Sequence, residues 1–290
     1  MKTAATLKLI YHTAKVRLGV LIMACAFAGV AMSPGEGLGT WQLIVLGLAT
    51  LLSSAAAGAF NQYYERDVDA HMRRTRLRPF VTGQFKAGAT WLSTIILTLL
   101  IAVAAAALAT NWLAAFYLFL GAFTYGVVYT VWLKRTTWLN IVIGGLAGSF
   151  AVMAGAAAMG ASLSPAPVIL AIVLFLWTPP HFWALAYACK SDYEAANIPM
   201  LPVIVSDRVS ATVILAHAVV LVVLSIVPMW YGMSWIYLAG ALAGGGFFLY
   251  ASAAFLAMPG VGFAWRTFAA SIVQLGLLLT AAILDRLILG

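Results

Sequence analysis

Long apolar runs separated by short polar stretches recur along the whole chain. A membrane-crossing helix needs about 20 predominantly apolar residues, and nine stretches approach or meet that length: 18–33, 41–60, 89–109, 112–132, 138–160, 166–187, 211–231, 235–257 and 267–286. None shows the polar/apolar alternation of a half-buried strand. The pattern predicts an all-α, polytopic transmembrane helical bundle of about nine transmembrane helices. It forms a single membrane-embedded domain over residues 1–290, with polar loops at about 61–88 and 188–210. Small residues crowd the spans at Ala55–Ala57, Ala102–Ala107, Gly144, Gly145, Gly148, Gly155–Ala158, Gly240 and Gly244–Gly246. They favour close helix packing in lipid.

Composition agrees with a lipid solvent. The chain is 64% hydrophobic and only 8% charged, against about 25% charged in soluble domains, so its polar surface is too small to face water alone. The net charge of +8 does not point to nucleic acid, because the basic residues lie in the loops between spans. With the N-terminus cytoplasmic, the cytoplasmic segments are the N-terminal arm (Lys2, Lys8, Lys15, Arg17), loop 61–88, 133–137, 188–210 and 258–266. All 16 Lys and Arg except Arg286 then fall on that side, as the positive-inside rule requires. The arm precedes Leu18–Met32 without a small-x-small cleavage site, which predicts a retained first helix rather than a signal peptide. Cys25 and Cys189 have no CxxC or metal spacing and read as free thiols.

Six of the eight acidic residues, Glu65, Asp67, Asp69, Asp192, Glu194 and Asp207, gather in the two long polar loops. If the second span continues as a helix, Asn61, Glu65 and Asp69 recur every fourth residue and spread over only about 80° of one face, at roughly 100° per residue. Oxygen donors stacked in this way suit Mg²⁺, a hard ion that binds through a few carboxylates together with substrate phosphates. Asp67 falls about 120° off that face and is expected to meet an arginine or water. Asp192, Glu194 and Asn197 offer a second oxygen set on the same side. Arg74, Arg78, Lys134 and Arg135 can neutralise a leaving diphosphate, whose charge develops as its bond to carbon breaks.

These stretches resemble the intramembrane (UbiA-type) prenyltransferases, whose first loop carries Asn-x₃-Asp-x₃-Asp and whose second carries Asp-x₃-Asp. Within them the chain is most similar to the protohaem IX farnesyltransferase subgroup. The matching stretches are Asn61–Pro79 with Met72, Arg74, Thr75, Arg78 and Pro79; Tyr129, Thr130, Leu133, Lys134 and Arg135; Asn140–Gly148; Trp177–Leu185; and Asp192–Val203. The strings Pro179–Leu185 and Ile198–Pro202 are the most specific. Glu65 stands where the wider family has Asp, and Ala196 where a second Asp would complete the second motif. The second metal set is therefore poorer in acids, with Glu194 or Asn197 to supplement Asp192.

The resemblance implies Mg²⁺ as cofactor, farnesyl diphosphate as donor and haem b as acceptor. Asn61, Glu65, Asp69 and Asp192 would be the catalytic and metal residues. The farnesyl group would go to a vinyl carbon with addition of water, in a bacterial inner membrane served by a haem-handling or oxidase-assembly partner. His181 is the one histidine inside both a span and a matching string, after a Pro179–Pro180 pair that predicts a kink, and is a candidate haem contact. Trp177, Phe182, Trp183, Tyr125 and Tyr129 could line a cation path, with Asn140 and Thr130 as polar members. A prenyltransferase acting on 4-hydroxybenzoate and a membrane transporter are the competing readings. The latter would place its polar residues near the bilayer midplane, where no charged residue falls. A haem-carrying electron-transfer subunit would need paired histidines at facing depths.

Overall fold

In the computed structural model, residues 2–290 are described, with side chains from Thr6 onward, so the side chain of Lys2 lies outside the described residues. The N-terminal arm is helical: α1 (Lys2–Thr13) leads through a bend of 46° into α2 (Val16–Ala31). The other elements are α3 (Thr40–Tyr64), α4 (Arg66–Asp69), α5 (Ala89–Ala109), α6 (Trp112–Phe123), a π-helix (Thr124–Leu133), α7 (Asn140–Gly144), α8 (Leu146–Ala158), α9 (Pro165–Ala188), α10 (Lys190–Ala195), α11 (Leu201–Ile204), α12 (Asp207–Ile226), a 3₁₀ turn (Val227–Tyr231), α13 (Trp235–Ala257) and α14 (Val261–Leu289). No strand occurs among the described residues. Among the described residues, eight helical segments are long and apolar enough to cross a membrane, or nine if the bent α1–α2 pair is taken as one span.

The spans close into a ring in chain order. α2 packs on α3, then α3 on α5, α5 on α6, α6 on α8, α8 on α9, α9 on α12, α12 on α13 and α13 on α14. The ring closes where α14 returns to α2. Successive neighbours joined by short connections are the expected arrangement for an up-down helical bundle. Inner contacts of α2 with α8 and of α9 with α14 tie opposite arcs together.

Glycine makes the α2–α8 contact possible. A Cβ on Gly155 would lie 1.9 Å from the Ala26 carbonyl oxygen, and one on Gly29 would lie 2.1 Å from that of Val152. Backbone meets backbone there, as small residues permit in lipid.

Three departures from the sequence pattern matter to the site. The fourth span is α-helical only to Phe123 and then widens into the π-helix, a form frequent at functional sites. The fifth is broken at Gly144–Gly145, where a Cβ on Gly145 would come 3.2 Å from the Phe175 carbonyl oxygen of α9. The last helix starts at Val261, inside the stretch 258–266 expected to be loop. Helix α9 runs unbroken through Pro179 and Pro180, so the expected kink does not interrupt the helix.

Candidate active site

The polar cluster forms where α3 ends. Its last turn carries Asn61, and the regular helix stops at Tyr64. The backbone nevertheless keeps the four-residue repeat: Glu65 N–H donates to Asn61 O (3.0 Å) and Asp69 N–H to Glu65 O (2.8 Å). Asn61, Glu65 and Asp69 are all buried. Each is met by a cation. Lys134 Nζ donates to Glu65 Oε2 at 2.5 Å, Arg78 to Asp69 Oδ2 at 2.6 Å, and Lys15 Nζ to Asn61 Oδ1 at 2.7 Å. Asn61 Nδ2 donates to Thr130 Oγ1 at 3.0 Å, which fixes its amide. Even fully paired, buried charges often fail to repay the cost of leaving water, so the arrangement is better explained by chemistry than by folding.

Lys134 and Arg135 are adjacent but go opposite ways. Lys134 is buried against Glu65, whereas Arg135 makes a two-pronged pair with Asp67 at 2.8 Å on the exposed rim. That hydrogen-bonded guanidinium holds the Asp67 carboxyl below the usual carboxylate range. The π-helix explains the split. Lys134 N–H reaches back five residues to Tyr129 O, and this wider turn aims Lys134 inward, 5.9 Å from the Tyr129 ring centre. Asn140 Nδ2 braces the bend on Lys134 O and Thr137 O.

The second loop meets the first. Arg74 N–H donates to Asp192 Oδ2 at 3.3 Å, and Asp192 is buried. Met72 of the first loop shares one apolar cluster with Tyr193, Ile198, Met200 and Leu201 of the second. Both loops therefore leave the bundle at the same end. The Arg74 side chain itself is exposed, as are Glu194 and Asn197, while Asp207 pairs with Lys190 at 3.7 Å outside the cluster. Among the described residues no three acidic, histidine or cysteine side chains converge on one point. Glu65 Oε1, however, is buried without a hydrogen-bond partner. A buried carboxylate oxygen left open beside Asn61 and Asp69 fits a hard divalent cation that completes its shell with substrate phosphates.

Beneath this cluster lies an apolar cavity of about 530 Å³, walled by α2, α3, α6, the π-helix, α8, α9 and α14. Tyr125 joins the two regions. Its ring lines the cavity and stacks on Tyr129 (5.7 Å between centres), and its hydroxyl accepts from Lys15 Nζ at 2.8 Å. Trp177, His181 and Phe182 line the cavity, but Trp183 faces the core against His217. The His181 ring is sandwiched between Trp177 (4.2 Å) and Phe268 (4.5 Å). Its Nδ1 lies 2.7 Å from Ser271 Oγ, whose own proton goes to Phe268 O at 2.6 Å. That network assigns Nδ1 as donor and leaves the Nε2 lone pair available.

Residues 22–272 match the model of the UbiA prenyltransferase family. The chain belongs to that family. It is 52% identical, over 99% of both chains, to protoheme IX farnesyltransferase 2 of Paramagnetospirillum magneticum, and 38% identical to the protoheme IX farnesyltransferase of Rhizobium etli over 96% of this chain and 89% of that one. The fold matches that of digeranylgeranylglyceryl phosphate synthase (TM-score 0.79, 17% identity, 97% and 98% of the two chains). It also matches a UbiA homolog from Archaeoglobus fulgidus solved with GPP and Mg²⁺ (TM-score 0.69, 14% identity, 93% and 99%). The chain is thus a polytopic membrane prenyltransferase by family.

Lys15 was not among the residues that motif reading selected. Its signal was present only as one more cation in a basic arm.

Proposed function

We propose that this chain transfers the farnesyl group of farnesyl diphosphate to a vinyl carbon of haem b, with addition of water, to give haem O. The observation that carries the reading is a buried acid–cation cluster linked through Lys15 and Tyr125 to an apolar cavity lined by His181, in a chain 52% identical to a protoheme IX farnesyltransferase. The diphosphate belongs in the cluster and the isoprenoid tail in the cavity.

Asn61, Glu65, Asp69 and Asp192 would hold Mg²⁺, with the exposed Glu194 as an outer candidate. The ion supplies charge neutralisation on the departing diphosphate. Lys134 and Arg78, each held by a carboxylate of the cluster, would meet the same oxygens, while Arg74 and Arg135 are exposed at the rim. As the allylic C–O bond breaks, its electron pair leaves with the diphosphate. The farnesyl carbon gains a bond from the vinyl π electrons, water adds to the resulting carbocation, and a proton is released. The faces of Tyr125 and Trp177, both lining the cavity, can stabilise the allylic cation. The polar loops would lie in the cytoplasm of a bacterium, with the chain in its inner membrane and the N-terminus inside, as the segregation of basic residues supports.

Mass analysis of the product from purified protein, haem b, farnesyl diphosphate and Mg²⁺ tests the reaction. The expected product is haem carrying one hydroxyethylfarnesyl group. Unchanged haem alongside a prenylated hydroxybenzoate in a parallel incubation would overturn the assignment.

His181 is proposed to contact the haem through Nε2, as an iron ligand or hydrogen-bond acceptor. His181→Ala is expected to shift the Soret band of the bound haem and lower turnover about tenfold or more. Identical spectra and turnover would remove it from the site.

A further inference from the structure

Lys15 is out of place for a loop cation. Of the other basic residues of the arm whose side chains are described, Lys8 and Arg17 are both exposed. Lys15 instead sits at the α1–α2 bend in a left-handed conformation, φ 48° and ψ 45°. For a residue with a side chain this is an unfavourable backbone state that persists only where its surroundings enforce it. The consequence is directional: the bend turns its side chain inward, and the aliphatic stem runs along Gly58. A Cβ added there would already meet the stem at 3.3 Å.

The ammonium ends among neutral acceptors. It donates to Asn61 Oδ1 at 2.7 Å and to Tyr125 Oη at 2.8 Å, with its nitrogen 5.3 Å from the Tyr125 ring centre. None of the three carboxylates of the first loop forms an ion pair with it: Glu65 is engaged by Lys134, Asp69 by Arg78 and Asp67 by Arg135. An ammonium has three donors, and only two are used. A cation brought into a poorly hydrated site without a counter-ion is costly. The cost is offset when an anion enters beside it.

Position names the anion. Tyr125 is the side chain shared by the acidic cluster and the apolar cavity, so Lys15 stands where a head group in the cluster joins a tail in the cavity. We propose that Lys15 binds the leaving diphosphate at the phosphate bonded to the prenyl carbon. This assignment rests on the prenyl-diphosphate reading above. As the C–O bond breaks and its electron pair stays on the phosphate oxygen, the free Lys15 N–H donates to that oxygen. No proton needs to move. The α1–α2 segment thereby supplies a substrate ligand that the Asp-rich loops do not contain.

The test uses the full-length protein in detergent with Mg²⁺ and inorganic pyrophosphate as probe, followed by calorimetric titration, with thermal unfolding measured in parallel. Lys15→Met is expected to weaken pyrophosphate binding about tenfold or more, the loss of a charge-assisted hydrogen bond. Lys15→Arg should restore most of it, and neither variant should move the unfolding midpoint by more than a few degrees. Wild-type affinity in Lys15→Met would overturn the assignment while leaving the prenyl-diphosphate reading standing. So would a loss of binding that merely accompanies a collapse of the unfolding midpoint and is not rescued by arginine. Absence of pyrophosphate binding in the wild type would overturn the diphosphate reading itself and Lys15's role with it.

Discussion

Asp69→Asn is expected to lower farnesyl transfer by at least about a hundredfold while the protein still inserts and folds. The carboxylate is buried, sits on the same side as Asn61 and Glu65, and holds Arg78 at 2.6 Å. Removing its charge takes away an anionic oxygen for the cation and frees Arg78 from its orienting partner. Loss of one preorganised electrostatic contact at a transition state commonly costs about 10²–10³ in rate. Asparagine keeps the volume and one acceptor, which limits the structural damage. Alanine would also leave Arg78 unpaired, and breaking a buried pair from one side costs about 3–5 kcal/mol. Arg78 retains some exposure, so the upper part of that range does not apply. Asn61→Ala and Asp192→Ala are expected to abolish transfer in the same way. The measurement is turnover at saturating Mg²⁺ and farnesyl diphosphate, normalised to folded protein. Turnover of Asp69→Asn within threefold of wild type would take Asp69 out of the reaction.

How much of this site could be read in the chain beforehand depended on whether geometry was local. The placing of Asn61, Glu65 and Asp69 on one side was legible because the four-residue hydrogen-bond repeat persists through Glu65, past the end of α3. The outward pairing of Asp67 followed from the same repeat. The approach of Asp192 to the Arg74 backbone was not legible: it joins residues far apart in sequence, and only the ring of helices brings them together. Adjacent residues posed a second kind of difficulty. Which of Lys134 and Arg135 turns inward is set by the five-residue hydrogen bond of the π-helix, and no periodic rule anticipates such a widened turn. Phe182 and Trp183 divide similarly between cavity and core. Lys15 was hidden for a different reason. The positive-inside rule already accounted for every cation in the arm, so one that turns inward had no pattern of its own.

The small residues of the spans lead to the second large effect. Gly155→Ala is expected to destabilise the bundle by about 1–3 kcal/mol, the usual cost of overpacking a close-packed interior, and to lower transfer per folded molecule. The added methyl would lie 1.9 Å from the Ala26 carbonyl oxygen, far inside the 3.4 Å at which ordinary contact begins. That oxygen is backbone, so no side chain can rotate away and the two helices must separate. In lipid there is little hydrophobic force between spans to oppose separation, since packing itself holds them. Separation also reaches the chemistry, because Leu21, Ile22 and Cys25 of α2 face Gly148 and Ala151 of α8 across the same cavity. Gly246→Ala provides the comparison. It is exposed, and a Cβ there meets nothing within 4 Å. Its expected effect is neutral to slightly stabilising, because alanine is the better helix former by up to about 1 kcal/mol. Thermal unfolding of both variants in one detergent separates the cases. If Gly155→Ala melts with the wild type, the α2–α8 contact yields more easily than its backbone geometry implies.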